Sequence, residues 1–228
     1  MTVAQVTTQL RPSQQPRLPA APVEYDRNYI DSLTSILRQY FNQVDNLNQS
    51  LLTNTGGRFF RTVCGSFYDT TQQTNTANTA KAITLNSTDT TGTNGVSVVS
   101  GSRVTVTYPG IYNMQFSIQA QNTDNAQHDI SIWIKQYVAV TATLADLPGS
   151  TGFISIPARK SAGAGNEGHG IYGWNYFISM AASDYIELYW STTNAAVTIQ
   201  NYAAGTSPTR PSTSSVVLTM SFVSAPLT

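Results

Sequence analysis

Charge is what this 228-residue sequence has least of: Asp, Glu, Lys and Arg make up 11% of it, against roughly 25% in an average globular protein. Twelve basic residues balance twelve acidic ones, for a formal net charge of zero. Binding nucleic acid through its phosphates needs a surplus of cations, and none is available. Cys64 is the one cysteine, so no disulfide closes within the chain and no cysteine metal cluster exists. No stretch approaches 18 consecutive apolar residues, which argues against a helical membrane span. The first ten residues, Met1 to Leu10, have no basic n-region and no apolar core, so no signal peptide is expected there.

Neutral polar groups take the place of charge. Thr, Ser, Asn and Gln number 31, 23, 16 and 15, together 85 of the 228 residues. Solubility is therefore carried by hydroxyls and amides.

The composition changes near residues 53–58. Residues 11–23 hold four prolines (Pro12, Pro16, Pro19, Pro22), which remove backbone donors and keep the chain extended. Such a segment has no core of its own, so it reads either as a disordered linker or, the reading preferred, as an arm ordered by lying on a partner. Leu18, Val23 and Tyr25 are its candidate pocket-fillers, Arg11 and Arg17 its candidate partners for acidic rims, and Pro19 and Pro22 its stiffeners. Downstream, Ile30, Leu33, Leu37, Tyr40, Val44, Leu47 and Leu51 alternate three- and four-residue steps. That spacing predicts a helix with one apolar seam, capped by Asp26 or Asp31. The seam suits a self-associating coiled coil, and, because Tyr29, Ile36 and Phe41 widen it, also an amphipathic helix lying on another surface. The run Thr53–Gly57 stops it, with Gly56 or Gly57 as terminator.

From Arg58 onward the period becomes two. Alternation is plain in Val104–Tyr108, Ile130–Ile134 and Ile186–Trp190. Strands are expected near 62–69, 80–86, 95–99, 102–108, 111–121, 128–139, 152–157, 171–181, 184–191, 196–201 and 213–224. With no helical pattern between them, they imply an antiparallel sandwich or barrel.

Catalytic signatures are thin. Glu167 and His169 are too few for a metal site, and the glycines around them, 163–170, read as a solvated loop without the Lys-Ser/Thr of a phosphate cradle. His128 is expected to begin a strand. No Gly-x-Ser-x-Gly elbow is present, and the carboxylates are too scattered to nominate a glycosidase pair. Cys64 reads as a small packed side chain. The chain is not expected to be an enzyme, and neither a cofactor nor a metal is expected.

Gly110-Ile-Tyr112-Asn-Met114-Gln-Phe116, Ser183-Asp184-Tyr185-Ile186 and the closing run Ser215–Phe222 carry a family resemblance. The first resembles the Gly-x-Tyr-x-Phe signature of the tumour necrosis factor (TNF) and complement globular-head superfamily, and the second its Gly-Asp-x-Val turn. The resemblance implies an all-β, antiparallel jelly-roll sandwich over roughly 62–224 that assembles as a homotrimer. Gly110 would permit a tight turn after Pro109, and Tyr112, Met114 and Phe116 would pack one face of the strand.

A Pro-rich arm, a short helix and a Thr/Asn/Ser-rich head also resemble structural proteins of tailed bacteriophages. The implied organisation is an anchoring arm (1–28), a trimeric stalk (29–52), a linker (53–61) and a head (62–228). The implied role is a virion spike or fibre, made in the bacterial cytoplasm and released by lysis. It would decorate or stabilise the capsid, or attach to a host surface. Its partners would be itself, a capsid or tail protein and a host-surface glycan, with no nucleic acid or membrane. Counting strands back from the C-terminus places loops 182–184 and 201–212 at the end away from that terminus. Tyr202 and Arg210 in the second are the candidate ligand contacts. The alternative is a glycan-binding module or a polysaccharide-degrading spike.

Overall fold

The computed structural model describes residues 15–52, 62–163 and 165–225. The chain divides into two compact units, residues 1–61 and 62–228. Arg11, Pro12 and the linker 53–61, with Gly56 and Gly57, lie outside the described residues, as do the side chains of residues 50–52, Leu51 among them.

In the first unit, residues 15–26 run without regular structure into helix α1, Arg27–Leu52. The helix begins two residues before the expected position because Asp26 caps it: the Asn28 backbone N–H donates to Asp26 Oδ1 at 2.9 Å. Leu33, Leu37, Tyr40, Val44 and Leu47 are half-buried and Ile30 is exposed, so none of the described seam residues is fully covered. No helix among the described residues is long and apolar enough to cross a membrane.

The second unit is an antiparallel sandwich. Its strands are β1 (Cys64–Asp69), β2 (Lys81–Ala82), β3 (Ser87–Thr88), β4 (Val96–Val99), β5 (Arg103–Val106), β6 (Gly110–Asn122), β7 (His128–Val138) and β8 (Thr143–Asp146). They continue with β9 (Gly152–Ile156), β10 (Gly168–Tyr172), β11 (Asn175–Met180), β12 (Tyr185–Thr192), β13 (Val197–Ile199), β14 (Gly205–Thr206), β15 (Thr209–Arg210) and β16 (Val216–Ser224). One sheet runs β10-β6-β16-β1-β3, with β11 and β13 also on β6. The other runs β4-β5-β12-β7-β8, with β2 on β12 and β9 on β7.

Strict alternation along β6 sends Tyr112, Met114, Phe116, Ile118 and Ala120 into the core. They meet Ile130, Ile132, Ile134, Ile186, Leu188 and Trp190 from the opposite sheet. Each such side chain contributes about 1.5–3 kcal/mol of burial, so these two faces supply the driving force for the sandwich. Gly110 works differently from the expected turn former. A Cβ there would overlap the Phe222 ring and press on the Ser224 carbonyl, so glycine is needed to let β16 approach β6.

Three expectations change in the structure. The segment between the expected strands 128–139 and 152–157 is not a plain loop, because it holds β8, which pairs with β7 as β9 does. The expected strand 171–181 is two pieces on the same edge of β6, broken at Gly173, where a Cβ would strike the Phe116 carbonyl. The expected strands 196–201 and 213–224 prove to be two collinear parts of one edge. β13 pairs with residues 120–122 of β6, and β16 continues from Ile118 in the same direction. Residues 200–215 are therefore an insertion within one strand line alongside β6, carrying the β14–β15 hairpin. This removes one chain reversal from the count. The 181–184 turn consequently lies at the same end as the C-terminal strand, since Met180 pairs with Gly110 and Ser224 with Ile111.

Candidate functional site

The two outer faces of the sandwich differ in charge. On the β7–β12 face, aromatic pairs are topped by cations. Tyr137 and Tyr185 stack at 4.5 Å with the Arg103 guanidinium 5.0 Å from the Tyr185 ring centre, and Lys135 Nζ lies 4.9 Å from that of Tyr189. Lys135 also pairs with Asp146 at 3.2 Å. Water meets a charged surface there.

The β6 face carries no Asp, Glu, Lys or Arg at the outward positions of its paired strands. Asn113, Gln115, Ser117, Gln119 and Gln121 of β6 lie beside Phe177, Ile171, Val217 and Thr219 of its neighbours. Phe177 is 62% exposed, Ile171 68% and Val217 38%. The side-chain oxygen of Asn113, whose register partners are Phe177 and Ser221, is buried and accepts no hydrogen bond. Depressions of about 480 and 270 Å³ include Gln115 and Ser117, one reaching Trp174 and the other Val217. A face free of charge, with apolar groups uncovered, has the composition of a contact surface rather than of a solvated one.

At its Asn122 end the face deepens into a cleft of about 560 Å³. Gln119 and Ala120 line it from β6, His169 and Ile171 from β10, and Tyr202 and Arg210 from the insertion 200–215. Register explains the meeting: His169 pairs with Gln121 and Ile171 with Gln119, while the Gln200 N–H donates to the Gln119 carbonyl at 2.7 Å on the other edge. Tyr202 is held by a backbone pair with Thr213. Its hydroxyl is 2.9 Å from His169 Nδ1, and the two rings meet edge to face at 5.7 Å. Burial, reinforced by the nearby Glu167 carboxylate, raises the Tyr202 phenol pKa, so its proton stays in place.

The structure thus brings Tyr202 and Arg210 together, and adds His169, which the sequence placed in a solvated glycine loop. His169 is instead on strand β10, beside Gly168, where a Cβ would collide with the Pro157 carbonyl. The signal for this was the alternation His169-Gly-Ile171, masked by the glycines around it. Gly110, Tyr112, Met114 and Phe116 lie in the core, away from solvent. Of the arm residues, Arg17, Leu18, Pro22, Val23 and Tyr25 are exposed and Pro19 is half-buried. The other histidine, His128, starts β7 and holds Asp124 Oδ2 at 2.7 Å. Among the described residues no cluster of three or more potential ligands could hold a metal ion.

No protein-family model matches the chain, and no curated protein does. Among solved structures, that of Eiger TNF from S. frugiperda is similar over 73% of this chain and 96% of its own, with a TM-score of 0.50 at 10% identity. At that identity the likeness concerns the fold alone: the second unit is a TNF-like jelly roll.

Proposed function

We propose that the chain is a homotrimeric structural protein of a virus particle, anchored by its N-terminal arm and exposing its jelly-roll head. The observation that carries the trimer is the charge-free β6 face. A second copy laid on it would cover Phe177 and Val217 and take their exposed apolar surface out of water. Helix α1 supports the same assembly, because its half-covered seam gains burial only from another surface, and a second and third copy provide one. Leu18, Val23 and Tyr25 support the anchor, being large apolar side chains that the described part of the arm leaves in water.

The particle setting rests on the resemblance of arm, helix and head to phage structural proteins. It assigns the chain assembly and surface contact, with no catalytic step. Light scattering on the full chain tests the oligomer and should give three copies. Co-sedimentation with virus particles tests the anchor. A chain lacking residues 1–25 should remain a trimer and stay in the supernatant; its retention on particles would refute the anchoring role.

A further inference from the structure

The cleft at the Asn122 end of the β6 face has more chemistry than a contact surface needs. Its volume, about 560 Å³, is within the range of small-molecule sites. Ile171 presents an exposed apolar surface on one wall, and the Tyr202 ring faces the cleft from the other. The Gln119 amide offers both a donor and an acceptor between them. Tyr202 and His169 fix each other through their hydrogen bond, and His169 Nε2 sits 4.0 Å from a Glu167 carboxylate oxygen, so the polar wall is set before a ligand arrives.

Two features select the ligand. Arg210 is exposed and has no carboxylate partner among the described residues, so its planar fork is available to a carboxylate from outside. The Gln119 amide beside an apolar platform matches a molecule carrying ring hydroxyls, and one guanidinium matches one carboxylate. A phosphate ligand would call for a second cation or a nest of backbone N–H groups, which these lining residues do not supply.

We propose that this cleft binds a carboxylate-bearing saccharide, with the acid group on Arg210, a ring face against Tyr202 and Ile171, and ring hydroxyls on Gln119. The inference goes beyond the assembly role and does not require it.

Saturation-transfer NMR and calorimetry on the full chain test it, using trigalacturonic acid and sialyllactose as probes, with trigalacturonic acid methyl ester and lactose as their neutral counterparts. At least one acid probe should bind about tenfold more tightly than its counterpart, the margin expected of one charge-assisted fork. Arg210→Ala should abolish that margin, and Tyr202→Ala should remove binding of both forms. Neither acid probe binding better than its neutral form, or an unchanged margin in Arg210→Ala, overturns the proposal. Light scattering on Arg210→Ala separates the remaining occupant: if the variant loses its oligomeric state, the cleft holds a neighbouring copy and the saccharide site is refuted. A single-copy chain that still binds would refute the trimer alone.

Discussion

The Tyr112 hydroxyl donates to the Tyr108 carbonyl at 2.7 Å, from a ring that is fully buried and meets Phe222 edge to face at 5.7 Å. The bond ties the start of β6 back across Pro109 to the bend that follows β5. Burial raises the Tyr112 pKa, so the donor proton is retained. Tyr112→Phe should cost about 1 kcal/mol by urea denaturation. Gly110→Ala should cost more, about 1–3 kcal/mol, because the methyl enters the space of the Phe222 ring.

Ser183 stands where the resembling family writes glycine, and it has φ of 71°, in the left-handed region. Ser183→Gly relieves that strain and should stabilise the head by about 1 kcal/mol, read as a raised denaturation midpoint. The next residue, Asp184, is buried and accepts from the Ala139 and Ala181 N–H groups at 2.8 Å each. Asp184→Ala leaves both donors unpaired and should cost about 2–4 kcal/mol, two bonds to a charged group.

The His128 hydrogen bond, helped by the Asn125 N–H, holds the Asp124 carboxyl below the usual carboxylate range. A depressed pKa contributes stability that is present above the unfolded value, near 4, and is lost as pH falls through the folded one. Asp124→Asn should therefore lower stability at neutral pH and flatten its decline below about pH 4, measured by thermal melts across that range. A wild-type acid limb in the variant would show that the pair is not felt.

Strong periodicity was legible in the sequence, and short or interrupted elements were not. Three-four spacing locates α1, and two-residue alternation locates β5, β6, β7 and β12, because each has one face on a core. The edge strand β8 is exposed at all four residues, so no burial pattern marks it. The hairpin β14–β15 is too short to carry one. The splitting of one strand line into β13 and β16 is invisible locally, since each half reads as an independent strand. Of the cleft, Tyr202 and Arg210 stood out by side-chain type in a polar loop. Gln119, Ile171 and His169 join them only through cross-strand register, which individual segments do not encode.

In the proposed trimer the charge-free face and the helix seam would make separable contributions. Phe177→Asp places a carboxylate on the head face, and Leu37→Asp with Val44→Asp does so on α1. Each buried, unpaired charge costs several kcal/mol. Either set should shift the oligomer towards single chains in analytical ultracentrifugation without unfolding the head, because Phe177, Leu37 and Val44 all lie outside the head's core.

Multi-angle light scattering of the purified full chain across a dilution series addresses the central claim most directly. Three copies of the 24.7 kDa chain, persisting on dilution, is the predicted result. A mass of one chain at every concentration would contradict it.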